Sequence, residues 1–447
     1  MVSLSNASIP GRNCVIPSGR RVRAAVLIVG LALCAPAFAN DNSLTLAQAQ
    51  RLAVLRSRQL PAQDAAIAAA GDMAIAAGQL PDPILKAGID NLPLSGPDRF
   101  SLGNDFMTMR RIGVMQELTG SGKRQLRAER FEREAEKGRV TKTAALAAIE
   151  RDTALAWLDR YYVEKMAAVL ADQAAQASLE IEAAAGAYRA GRGSQADVLA
   201  ARSALAMVMD RSSELQRRVR NARTMLARWT GQALDAPLAG QPAIDAIHLD
   251  PATLDTQLSH HPEIAVMNRQ QDIAQVEAKL AQANRKADWT VEVAFQNRGP
   301  AYANMLSVGI SLPLQWDRNK RQDRELAAKL GLVEQAKAER DEQLRGHVAE
   351  TRIMIAEWEN GRERHARYER ELIPLAAERT AATLAAYRGG KANLSEVLAS
   401  RRAEIEVRLQ ALQLQMDTAR LWAQLDFLSP RTAILAEPVP HVHLDAK

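Results

Sequence analysis

The sequence predicts a mainly α protein with a smaller β-barrel part. It reads as two tandem copies of one unit, each with two strands followed by a very long helical hairpin. Three observations carry this. Aromatics are only 4% of the 447 residues, and Gly and Pro number 24 and 18. Ala, Leu, Gln, Glu and Arg fill most windows, a composition that excludes a β-sandwich or a Rossmann fold. A glycine-centred turn motif occurs twice, and paired stretches of alternating hydrophobicity stand before each occurrence. After position 40 no stretch reaches about 18 uninterrupted apolar residues, so the mature chain is expected to have no helical membrane span.

Residues 1–39 read as an address. Arg12, Arg20, Arg21 and Arg23 precede an apolar run from Ala24 to Leu33, and Ala37-Phe38-Ala39 offers small residues for cleavage before Asn40. This is the pattern of a secretory signal peptide. Leu33 argues against the alternative, lipid attachment at Cys34, because a small residue is required there. Removal takes away four arginines and no acid, so the formal charge falls from +6 to +2 and gives no support to a nucleic-acid partner. Cys14 and Cys34 leave with the segment, so the mature chain is expected to have no disulfide.

The repeat is direct. Ala187-Tyr188-Arg189-Ala190-Gly191-Arg192 matches Ala386-Tyr387-Arg388-Gly389-Gly390-Lys391, and Asp197-Val198-Leu199 matches Glu396-Val397-Leu398, at an offset of 199. Gly122-Lys123-Arg124-Gln125 matches Asn319-Lys320-Arg321-Gln322 at 197. A period this long is a duplicated unit, not a solenoid. The first repeat spans 40–230, a linker follows at 231–252, the second repeat spans 253–428, and 429–447 is a polar tail.

Each repeat is expected to run helix, two strands, long helix, turn, helix. Residues 44–79 carry Leu46, Ala49, Leu52 and Ala53 at helical spacing until Pro81 and Pro83 stop the pattern. Strands are expected at 84–92 and 106–118, then a helix from 122 to 190 and a return helix over 194–230. The second repeat gives a helix at 253–286, strands at 289–297 and 304–314, a helix at 319–388 with a kink at Pro374, and a return at 394–428.

In the second pair, Trp289, Val291, Val293 and Phe295 alternate with Thr290, Glu292, Ala294 and Gln296. Leu306, Val308 and Ile310 alternate with Ser307, Gly309 and Ser311. Such segments suit a strand crossing a bilayer around a wet lumen, and equally a half-buried soluble hairpin. Arg110 and Arg111 interrupt the first pair. Four strands cannot close a barrel, and lipid tolerates no open edge, so membrane strands would require several copies; three give twelve strands.

A helix over 122–190 is roughly 100 Å long, matched by two shorter return pieces of about 50 Å each. The expected body is a hollow-cylinder wall with strands at one end, hairpin turns at the other and an irregular belt around the middle.

With these landmarks the sequence resembles the TolC-like outer-membrane efflux proteins. Leu80-Pro81-Asp82-Pro83, Asn91-Leu92-Pro93, Gly113-Val114-Met115-Gln116 and Gly122-Lys123-Arg124 are similar to strings of the heavy-metal, CzcC-like branch. The resemblance implies a homotrimer with a twelve-stranded barrel in outer-membrane lipid and a tunnel across the periplasm. It implies docking on a periplasmic adaptor (a membrane fusion protein) and an inner-membrane pump of the resistance–nodulation–division type, with no cofactor. Drug efflux in place of metal efflux, and a periplasmic coiled-coil adaptor or scaffold, are the alternatives. At the tip, Tyr188, Arg189, Gly191, Arg192 and Gly193, with Tyr387, Arg388, Gly389, Gly390 and Lys391, would form the docking surface. Asp197 and Glu396 match aperture acids, whereas Ala200 and Ala399 replace a second acidic pair.

No catalytic constellation stands out. His260-His261 precedes Pro262, where exposed side chains pointing apart fit better than a metal pair. His441 and His443 in the tail are weak metal candidates. Met107, Met109 and Met115 share one expected strand face, where apolar packing or lipid contact competes with thioether ligation.

Overall fold

The computed structural model describes residues 43–431. The leader expected at 1–39 and most of the expected tail, including His441 and His443, lie outside the described residues.

The segment expected as one helix at 44–79 is two, α1 (Leu46–Arg56) and α2 (Gln59–Ala77). Thr45 and Gln48 cap α1 reciprocally, each side chain bonding the other's backbone N–H. Pro61 lies in the first turn of α2, where a missing N–H costs least, and it could not bond back through a continuous helix. The second repeat breaks in the same way. Its expected helix at 253–286 becomes α5 (Leu254–Ser259) and α6 (Pro262–Ala283), with Pro262 as the first residue of α6.

The long outward helix α3 (Ser121–Arg189) is unbroken over 69 residues, and α4 (Gln195–Thr230) returns beside it. In the second repeat the outward path is α7 (Gln322–Arg367), one π-helical turn (Tyr368–Leu372) and α8 (Ile373–Arg388), followed by the return helix α9 (Leu394–Asp426). The kink expected at Pro374 is this wide turn. The Ile373 N–H bonds the Tyr368 carbonyl five residues back, so the helix takes in an extra residue and continues through the proline.

Four strands, β1 (Ile84–Asp90), β2 (Met109–Leu118), β3 (Trp289–Asn297) and β4 (Met305–Ser311), form one antiparallel sheet in the order β1-β2-β3-β4. β2 and β3 come from different repeats. Gly113 faces Ala294, and a Cβ on Gly113 would lie 2.7 Å from the Ala294 Cβ, so the central strands approach this closely only because the position is glycine.

The main core lies midway along the long helices, around Trp157, Tyr162, Trp358, Met416 and Trp422. Three indoles hold the irregular belt there. The Nε1–H groups of Trp157, Trp358 and Trp422 donate to the carbonyls of Leu44 (2.9 Å), Ile244 (3.1 Å) and Ala246 (2.9 Å). The belt is therefore fixed through its backbone, with a polar tip on each buried ring supplying the bond.

Candidate functional site

The two hairpin tips are built alike down to their hydrogen bonds. After α3, the Arg192 N–H reaches the Ala187 carbonyl at 2.9 Å and the Gly191 N–H reaches that of Tyr188 at 3.0 Å. After α8, Lys391 bonds Ala386 at 2.8 Å and Gly390 bonds Tyr387 at 3.0 Å. These are paired Schellman closures, and each requires a left-handed residue. Gly191 and Gly390 supply it, both at φ +71°.

The next helices start from matching caps. Ser194 and Asp197 bond each other reciprocally at the start of α4, and Asn393 and Glu396 do so at the start of α9. Asp197 thus spends its carboxylate on the Ser194 backbone N–H, whereas the Glu396 carboxylate accepts from the Asn393 side-chain amide. The Ser194 backbone N–H, and then its hydroxyl, hold Asp197 below the usual carboxylate range. The signal was present in the sequence as Ser/Asn-x-x-Asp/Glu at a helix start.

Around these closures the docking candidates divide. Arg189, Arg192, Arg388 and Lys391 are exposed, and among the described residues none forms an ion pair. Each hairpin therefore presents an unneutralised cationic end. The tyrosines differ. Tyr188 is 50% exposed, whereas Tyr387 packs against Ala184, Ala201 and Leu394 between the two hairpins.

At the other end of the molecule the sheet sorts its side chains by face. Leu85, Ile112, Val114, Val293, Phe295, Leu306, Val308 and Ile310 share one face and are exposed. The opposite face carries Lys86, Asp90, Arg111 and Glu292 among serines and glycines. Lys86 pairs with Glu292 at 2.7 Å, and Arg111 lies 3.3 Å from Asp90 and 3.7 Å from Glu292. Arg111, one of the residues that interrupt the alternation, thus belongs to the charged face. Arg110 is on the apolar face near the end of β2, where it bonds Asn297.

The metal candidates do not assemble. Among the described residues no three His, Cys, Asp or Glu side chains are grouped to hold an ion. His260 is exposed, as expected, but His261 is buried at 6% exposure and caps α6 by accepting the Glu263 N–H. Its ring lies 4.4 Å from that of His347, the two planes tilted by 46°. Burial, then the neighbouring His347, lowers its pKa to about 4. Met107 precedes β2, and Met109 and Met115 are six residues apart on it, about 20 Å, so they form no thioether cluster.

The strings that resemble the heavy-metal branch join the sheet to the helices. The Gln116 amide donates to the Pro81 carbonyl at 2.7 Å. Lys123, 7% exposed, pairs with Asp288 at 2.8 Å, and Asp288 also accepts the Gly120 N–H at 3.1 Å. Their chemistry at these positions is structural.

Long helical hairpins, joined at one end to a small sheet with one apolar and one charged face, and banded by coil at mid-height, define the TolC-like channel fold. Among solved structures, the chain is similar to the outer-membrane channel OprN at 17% identity, with a TM-score of 0.73 over 86% of this chain and 90% of that one. It is similar to the outer-membrane protein VceC from Vibrio cholerae at 16% identity, with a TM-score of 0.69 over 86% and 95%. It is also similar to CusC, a transmembrane channel, at 13% identity, with a TM-score of 0.73 over 86% and 92%. At such identities the likeness establishes fold. No protein-family model and no curated protein sequence matches the chain. No described helix is long and apolar enough to cross a membrane.

Proposed function

We propose that this chain is the outer-membrane exit duct of a tripartite efflux system. Three copies share a twelve-stranded barrel in the outer membrane and extend a helical tunnel into the periplasm. The observation that carries this reading is the sheet. Its apolar face is exposed, its charged face is internally paired, and its edge strands β1 and β4 have no further strand partner among the described residues. An open edge is untenable in lipid, and closure with two further copies satisfies every backbone group. The same sheet argues against a periplasmic adaptor or scaffold, which has no use for an apolar outer belt. The channel names of the similar structures support the duct role.

The tips then meet a periplasmic adaptor coupled to an inner-membrane resistance–nodulation–division pump. Heavy-metal cations are the proposed cargo, on the strength of the branch-like strings. Membrane fractionation with chemical cross-linking tests the duct: an outer-membrane trimer supports it, and a soluble monomer refutes it. Deleting the gene should lower tolerance to metal cations more than tolerance to large hydrophobic drugs. The reverse pattern would assign the duct to drug efflux.

A further inference from the structure

In a three-copy ring two kinds of seam alternate. One lies inside each chain, between its first and second hairpins. The other runs from the second hairpin of one copy to the first hairpin of the next. The repeat offset converts each residue facing the first seam into its counterpart at the second.

The seam inside the chain is visible near the tip. Glu180 on α3 meets Arg401 on α9, with Oε1 2.5 Å from Nε and the two side chains only 13% and 20% exposed. Burial pushes the Glu180 carboxyl up, and the Arg401 charge opposes that rise. Ala184, Ala201 and Leu394 form the apolar cluster beside the pair. At an offset of 199, Glu180 becomes Arg379 and Arg401 becomes Arg202. Both are exposed, and among the described residues neither guanidinium has a partner. The same shift turns Ala184, Ala201 and Leu394 into Thr383, Ser400 and Gln195. One seam is closed by an ion pair over apolar side chains. The corresponding positions for the other carry two arginines with Thr383 and Gln195, whereas Ser400 is buried inside its own chain.

The sheet end behaves differently. There the pair inside the chain is Lys123 with Asp288 at 2.8 Å. Its counterparts are Lys320 and Asp82, which stands two residues before β1 as Asp288 stands one before β3. The corresponding positions at that end thus carry residues of opposite charge, although Lys320 lies 3.7 Å from Asp317 of its own chain.

We propose that the seam formed by Arg202 of one copy and Arg379 of the next is a groove that binds carboxylates from a helix of a partner protein. Two guanidiniums left without a counter-charge repel each other, and a carboxylate between them satisfies both with charge-assisted hydrogen bonds. Seating an acidic helix there joins neighbouring copies at a level where Arg202 and Arg379 have no counter-charge of their own, which gives each ring three such grooves. The inference rests on the shared-ring reading and adds the chemistry of the partner.

The test uses the full chain purified in detergent and two labelled helical peptides, one with glutamates at i, i+4 and i+7, the other with glutamines there. The trimer should bind the glutamate peptide at least about tenfold more tightly. The variant Arg202→Gln/Arg379→Gln should erase that preference, whereas Arg220→Gln/Arg364→Gln, with the same change in charge, should keep it. Arg379→Glu alone, which supplies the missing pair for Arg202, should also erase it while leaving trimers intact. A trimer with no preference, or one whose preference survives both Arg379 variants, overturns the groove alone. A monomer in detergent overturns the ring and the groove together.

Discussion

Replacing Gly191 or Gly390 with alanine isolates the backbone requirement of the tips. Both residues sit at φ +71°, and a Cβ at either meets nothing within 4 Å. The substitution therefore introduces no clash, and its cost is the left-handed conformation itself, about 1–2 kcal/mol for an L residue. That strain is confined to a closure at the far end of a hairpin, away from the core around Trp157 and Trp358. It should lower the free energy of local opening and leave global unfolding almost unchanged. The reporting amides are those of Arg192 and Lys391, which bond Ala187 and Ala386 across the turn. Their hydrogen exchange should accelerate about 5- to 30-fold, each only in its own variant. Valine at these positions should cost more, and the double valine variant should leave trimers in the membrane while uncoupling export. Unchanged exchange in both alanine variants would refute the argument that the left-handed glycine sets the turn. A response at only one tip would refute the equivalence of the two.

Other perturbations follow from the same geometry. Deleting residues 289–314 removes β3 and β4 and leaves β2, still paired with β1, with one open edge, so membrane insertion should be lost; normal outer-membrane trimers would contradict the shared barrel. His261 is held neutral, with a pKa lowered from 6.5 to about 4, so stability should be full above about pH 6.5 and decline as pH falls toward 4. His261→Asn keeps a capping side chain without the titration, and melting curves across that range should show the decline flattened. Trp358→Phe removes the bond to Ile244 and part of a buried ring, which should cost about 2–4 kcal/mol in denaturant unfolding. A loss below about 0.5 kcal/mol would show that the indole does not fix the belt.

What the sequence revealed tracks how local each determinant is. The tip turns were legible because a glycine closure is settled within a few residues. The second strand pair was legible because one face had to stay apolar, and Trp289 through Phe295 alternate as the observed faces do. Arg111 looked like a defect because its partners, Asp90 and Glu292, arrive from other strands and only the register brings them together. The helix breaks near Pro61 and Pro262 were signalled but overridden by the periodicity on either side. His261 looked exposed because nothing nearby in sequence shows that His347 covers it. The tryptophans of the belt gave no signal at all, since their acceptors lie more than a hundred residues away.

The belt sits near the middle of α3. From Trp157 the helix runs about 48 Å to Arg189 and about 54 Å to Ser121. A rigid rod pinned at its midpoint is a lever, and the three indoles are its fulcrum. A pivot of about 5° there, small enough for side chains to absorb, carries the tip about 4 Å sideways and swings the sheet end by a similar distance in the opposite direction. In a closed ring the barrel opposes that second movement, so motion passes into bending of the helices between belt and tip. The width of the passage at the tips is therefore governed as much by packing at mid-height, tens of ångströms away, as by the residues that line it.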